Sequence, residues 1–156
     1  MIALIAAVDC NWAIGREGKL LFSIPEDLHR FRELTVAKTI LYGRRTLSTF
    51  PAGRPLEGRT NLVLTHSPET LPEGCMQADL RNLPDELLVV GGAEVYKQML
   101  PLCRKAWITK VEADGHGDRF LVNLDADPEW RLTACSEEKK WQDLTYTFCQ
   151  YERVSE

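Results

Sequence analysis

Residues 2–8 read IALIAAV. An apolar run this short, rich in branched side chains, fits a buried strand and is too short for a helix. Three more runs of the same kind lie outward along the chain: TILY at 39–42, TNLVLT at 60–65 and LLVV at 87–90. None of them simply alternates apolar with polar positions, which is the pattern of parallel strands covered on both faces. Helical patterns sit between several of them. The first opens at Ser23-Ile24-Pro25-Glu26, where Ser with Glu three residues later predicts a capping box and an early Pro costs no hydrogen bond; it should run to about Thr35. A second short helix should start within Gly43 to Thr46. A third, AEVYKQML, follows Gly91-Gly92 with Val95, Met99 and Leu100 on one face and Pro101 as its stop. Strands alternating with helices predict an α/β fold with a mostly parallel central sheet. The C-terminal stretches AWITKVEA (106–113), RLTAC (131–135) and TYTFCQYERV (145–154) lack intervening helices, so an antiparallel return edge is expected there. Residues 11–22 show neither a strand nor a helix period and read as a loop.

The 156 residues, 44% hydrophobic and 27% charged, fit one domain spanning 1–156. A chain of this length can stabilise a core without covalent staples. Five cysteines, an odd number with no CxxC pair, read as reduced and mostly structural thiols. There is no signal-peptide pattern and no apolar run of membrane-spanning length, so a cytoplasmic protein without membrane contact is expected. The net charge of -4, from 19 basic and 23 acidic residues, excludes the general basic field of a nucleic-acid binder and leaves room only for a local basic cluster.

Asp27 is the most informative single residue. Ile24, Leu28, Phe31 and Leu34 fall at core spacing on the first predicted helix, and Asp27 lies on the same side. An ordinary reading has it satisfying the helix dipole or pairing with Arg30. A functional reading makes it a desolvated acid, raised in pKa and facing a ligand. Two further places have the form strand, Gly, helix start: TILY before Gly43-Arg44-Arg45-Thr46, and LLVV before Gly91-Gly92-Ala93. Helix starts offer free N–H groups, Gly lets phosphate approach the backbone, and guanidinium forks grip it, so a dinucleotide has the right chemistry. Each is also compatible with a plain turn. Gly15-Arg16-Glu17-Gly18-Lys19 lacks P-loop spacing, GxGxxG is absent, and His29, His66 and His116 have no companion at metal-ligand spacing. Neither a catalytic triad nor a metal site is expected. DGHGD (114–118) reads as a polar loop.

Over nearly its whole length the sequence resembles the bacterial dihydrofolate reductases. IALIAAV followed by NWAIGREGKLLFSIPEDLHRF is similar to the family's first strand, mobile active-site loop and first helix. GRRT (43–46), RPLEGRTN (54–61), VVGGAEVY (89–96) and WITKVEA (107–113) follow in the family's order. The resemblance implies a single-domain reductase that moves hydride from NADPH to C6 of dihydrofolate, with protonation at N5. It also implies antifolate binding and a monomer that needs no nucleic acid. By the same resemblance Asp27 holds the pterin's 2-amino group and N3, Thr109 steadies Asp27, and Phe31 walls the pterin and benzoyl ring. Arg59 holds the glutamate tail's α-carboxylate, and Ile5, Ala7, Leu28, Phe50, Leu56 and Val90 line the substrate cleft. The cofactor falls to Ala7, Ile14, Gly15, Leu20, Gly43, Arg44, Arg45, Thr46, Thr65, His66, Gly91, Gly92, Ala93, Val95 and Tyr96, with a cis peptide typical between the two glycines.

Phe22 stands where the family usually has Trp, removing an indole donor that helps organise an active-site water. Glu94 replaces a basic residue that some relatives place near the 2′-phosphate. Leu121 follows Phe120 where Pro is common, and the short ADLRNLPDE before Leu87 predicts a truncated or missing helix. The loop 11–22 joins the first strand to the helix bearing Asp27 and is expected to act as a lid, with Leu20 near the nicotinamide. Two rivals carry different expectations: a same-fold reductase of another pterin or a ribosylated pyrimidine, for which Arg59 is not needed, and a non-catalytic nucleotide-binding module, for which a desolvated Asp27 has no use.

Overall fold

The computed structural model describes residues 1–154. Strand β1 (Ile2–Val8) alternates its side chains between two cores. Ala3 and Ile5 face one cluster with Ile40, Tyr42, Leu47, Val63 and Leu88, against which Phe31 and Leu34 of helix α1 (Pro25–Thr35) pack. Leu4, Ala6 and Val8 face the other, with Leu87, Val89 and the buried Val95, Tyr96 and Met99 of helix α3 (Ala93–Met99). This two-sided burial explains why the run reads as continuously apolar.

The remaining elements are β2 (Ala13–Arg16), β3 (Lys19–Leu20), β4 (Thr39–Gly43), α2 (Arg44–Leu47), β5 (Thr60–Leu64), β6 (Cys75–Gln77), β7 (Leu87–Gly91), β8 (Lys105–Val111), β9 (Arg119–Phe120), β10 (Trp130–Cys135), β11 (Lys139–Trp141) and β12 (Leu144–Arg153). The main sheet runs β10-β12-β8-β1-β7-β4-β5-β6, with β11 paired to β12. All pairings from β8 to β6 are parallel, while β10, β11 and β12 are antiparallel. The expected α/β sheet with an antiparallel C-terminal return is therefore present. AWITKVEA differs from expectation: as β8 it is parallel to β1 and only its other edge meets the antiparallel β12. The α3 crossover supplies the reversal that its own sequence does not signal. The segment 78–86 carries no helix.

Three local expectations need correction. The Ser23 capping box does not form. Pro25 at the first helical position holds Ile24 extended (φ -94, ψ 120), so Ile24 is the cap residue, without a side-chain cap. Glu26 turns instead to the Tyr146 hydroxyl and Lys139. Pro101 does not end the last turn outright, because Leu100–Leu102 continues as a 3-10 turn after α3 stops at Met99. Residues 11–22 are not without strand: β2 and β3 form a hairpin through Glu17 and Gly18, both at positive φ, and β9 completes a small separate sheet. Strands of two to four residues are too short for a period to show, and their third partner lies about a hundred residues away.

Candidate active site

The carboxyl ends of β1, β7 and β8 meet the inner face of α1 around a cleft of about 420 Å³. Parallel sheets place ligand sites at this end, where loops diverge. All the predicted substrate residues line it: Ile5, Ala7, Leu28, Phe31, Phe50, Leu56, Arg59 and Val90, together with Asp27, Phe22 and Thr109.

Asp27 lies in the first turn of α1, half-buried against β8. Thr109, on β8 and 5% exposed, donates its hydroxyl to Asp27 Oδ1 at 2.5 Å. Burial pushes the Asp27 carboxyl above its ordinary range, and the Thr109 bond and the Arg30 guanidinium pull the other way without cancelling it. The helix start is itself held down. Tyr146 donates to Glu26 at 2.5 Å, and Phe22 packs against the Ile24, Val111 and Tyr146 cluster behind the acid. Phe22 offers no polar atom to this corner, as its sequence position implied.

From Asp27 the wall of α1 changes character. Leu28 and Phe31 are apolar, Leu28 being 49% exposed towards the cleft it lines. At the last turn, about 12 Å along the axis, Thr35 Oγ1 accepts from Arg59 Nε at 3.1 Å while Arg59 Nη1 donates to Glu57 O at 2.8 Å. These two bonds orient the guanidinium and use two of its five donors. The cleft thus offers an acid, an apolar passage and a cation in sequence, which suits a ligand with a donor-rich head, an aromatic middle and a carboxylate tail.

The predicted cofactor residues divide into two groups. Ala7, Ile14, Leu20, Thr46, Gly91, Gly92 and Tyr96 line the same cleft. The Gly91–Gly92 peptide is cis, and Gly91 adopts φ +148; a Cβ there would meet Thr46 Oγ1 at 3.0 Å. Tyr96 anchors this floor by donating its hydroxyl to Ile5 O at 2.6 Å. Gly15, Gly43, Arg44, Arg45, Thr65, His66, Ala93 and Val95 lie outside the lining. Arg44, Arg45 and His66 are exposed, with Arg44 donating to Thr70 O at 3.3 Å, while Thr65 Oγ1 is engaged by the Ser67 N–H. Val95 is a core side chain beneath Gly43, where a Cβ would meet its Cγ2 at 3.1 Å. Its part is to support the strand-to-helix turn, not to offer a contact surface. Among the described residues no cluster of metal-ligating side chains occurs, and no helix is long and apolar enough to cross a membrane.

The hairpin over the cleft is fastened at its base. Asp9, 2% exposed, accepts from the Asn11 and Ala13 N–H groups with Oδ1 and from Gly115 N–H with Oδ2. Asp118 accepts from Glu17 N–H at 3.0 Å and donates its own N–H to Gly15 O at 2.9 Å. Gly117 permits this approach, since a Cβ there would fall 2.5 Å from Ala13 Cβ. The DGHGD loop is thus the hairpin's tether. Leu20, 60% exposed, hangs at the cleft mouth.

Sequence reasoning missed Trp107, Thr49, Pro51, Leu21 and Arg32, which also line the cleft. Trp107 was within reach, because strand alternation puts it on the same face as Thr109. The others carry no signal short of the tertiary fold.

A dihydrofolate reductase family model matches residues 1–153. The dihydrofolate reductase of Bacillus subtilis is 32% identical over 162 residues, covering 98% of this chain and 95% of that protein. That of Mycobacterium leprae is 35% identical over 135 residues, covering 81% and 78%. Among solved structures, dihydrofolate reductase from Enterococcus faecalis complexed with NADP(H) and RAB-propyl superposes with a TM-score of 0.83 at 30% identity, covering 99% of this chain and 97% of that one.

Proposed function

Because the chain belongs to the dihydrofolate reductase family and reduces dihydrofolate with NADPH, we propose how its own residues divide that work. The cleft gives the assignment its basis: a raised, Thr109-bonded carboxyl at one end and a clamped guanidinium at the other. Asp27 takes the pterin's 2-amino group and N3, and as a carboxylate it favours the protonated pterin that accepts hydride. Thr109 fixes the acid's orientation. Ile5, Ala7, Leu28, Phe31, Phe50, Leu56 and Val90 exclude water and align the rings, and Arg59 takes the tail's α-carboxylate.

The residues present suit NADPH. Gly91 and Gly92 leave open backbone beside Thr46, Ala7 and Ile14 give an apolar floor, and the exposed Arg44, resting on Thr70 O through one donor, and Arg45 stand at the start of α2 where a phosphate would meet them. When bound, the cofactor supplies the hydride for C6. Asp27, bonded to the N3 edge, does not reach N5, so the N5 proton arrives through water. Phe22, in place of an indole, offers no polar atom to hold that water. The hairpin 13–20, tethered by Asp9 and Asp118, serves as the lid. A single domain, a monomeric state, a cytoplasmic setting and no need of nucleic acid complete the reading.

The absorbance loss of NADPH tests the tail assignment directly. Arg59→Ala should raise KM for dihydrofolate by about 10- to 100-fold, the cost of a lost charged hydrogen bond, and leave KM for dihydropteroate, which lacks the glutamate, nearly unchanged. Equal losses with both substrates, or none with either, would remove Arg59 from the tail's binding site.

A further inference from the structure

The β10–β12 edge brings two cysteines face to face, away from the substrate cleft. Cys135 and Cys149 are register partners on these antiparallel strands, and their sulfurs lie 3.1 Å apart without a bond. The next hydrogen bond, from Ser136 N–H to Phe148 O at 2.8 Å, marks 135 and 149 as a non-hydrogen-bonded pair. In such pairs the Cα atoms approach to about 4.5 Å, the closest spacing of the ladder and within the range a disulfide spans, about 4.4 to 6.8 Å. The two thiols differ in access. Cys135 is exposed, whereas Cys149 is 2% exposed, packed on the α3 side of the sheet, with Thr147 Oγ1 3.5 Å from its sulfur.

We propose that Cys135 and Cys149 form a reversible dithiol–disulfide site that exchanges with small-molecule disulfides such as oxidised glutathione. Cys135, as thiolate, attacks one sulfur of the small disulfide; the S–S bond breaks and one thiolate leaves, giving a mixed disulfide at Cys135. Cys149, losing its proton, then attacks the Cys135 sulfur and expels the second small thiolate. The protein loses two electrons and two protons, and the small disulfide is reduced to two thiols. Access fixes the order: the exposed sulfur meets the reagent and the buried one resolves it. Desolvation of its sulfur, and then the neighbouring Cys149, raise the Cys135 thiol to about 11, with Asp125 adding to the rise and Lys110 of β8 opposing it. Little thiolate exists at neutral pH, so closure is slow and the pair rests as thiols where glutathione is kept reduced.

Reduced protein, freed of reductant, is equilibrated in buffers of rising ratio of oxidised to reduced glutathione, acid-quenched, alkylated and weighed. Of the five cysteines, two should lose alkylation together with a mass loss of about two daltons, the signature of one S–S bond. Peptide mapping should join 135 to 149, and dithiothreitol should restore both thiols. Cys149→Ser should stop at a glutathione adduct on Cys135, and Cys135→Ser should form no internal bridge. The bridged protein should melt several degrees higher than the reduced one, since the link restricts the unfolded chain. Full alkylation at every ratio, a lasting adduct on wild-type Cys135 without closure, or a bridge using Cys10, Cys75 or Cys103 would each overturn the site.

Discussion

Replacing Asp27 by Asn keeps the shape of the side chain and the acceptor for Thr109 but removes the charge. If the pterin carries its positive charge about 4 Å from the carboxylate at an effective dielectric near 20, their interaction is about 4 kcal/mol. At about 1.4 kcal/mol per power of ten, that corresponds to roughly a thousandfold in rate. Turnover of dihydrofolate at neutral pH should therefore fall by about 10²- to 10⁴-fold. Stability should move the other way. The folded Asp27 carboxyl ionises above its ordinary 3.8, because burial disfavours the charge. The native state is favoured by the neutral form, fully so below 3.8, and that advantage is lost as pH rises through the raised folded value. Asn never ionises, so Asp27→Asn should unfold at higher denaturant than wild type at pH 7, and the gap should close in acid. Stopped-flow loss of NADPH absorbance and urea melts at several pH values measure both arms. Turnover within tenfold of wild type in a folded Asp27→Asn protein would refute the electrostatic role. A variant less stable at pH 7 than at pH 3 relative to wild type would refute the burial argument.

Thr109→Val removes the hydrogen bond that lowers the Asp27 pKa, so the acid limb of the kcat/KM profile should shift to higher pH and neutral activity should drop about tenfold; an unmoved limb would show that Thr109 only packs. Gly92→Ala has 3.4 Å to Thr46 Oγ1 and should cost the apo protein under about 1 kcal/mol while weakening NADPH, whereas Gly91→Ala, at φ +148 and 3.0 Å from the same oxygen, should cost about 1 to 3 kcal/mol of stability; calorimetry with and without NADPH separates the two. Hydrogen exchange across 13–22 should slow when NADPH and a folate analogue bind together, with less change at 60–65, and unchanged exchange with both ligands bound would leave the hairpin a fixed connector.

Much of this protein is legible in its chain because its fold is built from short-range rules. Runs such as IALIAAV and LLVV are covered on both faces, so burial writes itself as unbroken apolarity. Asp27 stands out because a carboxylate on the apolar side of a helix conflicts with the pattern around it, and such conflicts gather at functional sites. Gly43 and Gly91-Gly92 mark the strand-to-helix turns for the same local reason.

What the sequence could not decide are relations between distant segments. The parallel pairing of β8 follows from the α3 crossover, and the hairpin 13–20 exists because Asp9, Asp118 and β9 hold it across a gap of about a hundred residues. Glu26, the other half of the expected capping box, found Tyr146, 120 residues on. Val95 went to the core beneath Gly43, and Cys135 met Cys149 across one ladder. Local propensity and periodicity act over a few residues, and so they select the elements. Burial, hydrogen-bond satisfaction and register act through space, and they alone determine which elements share a wall.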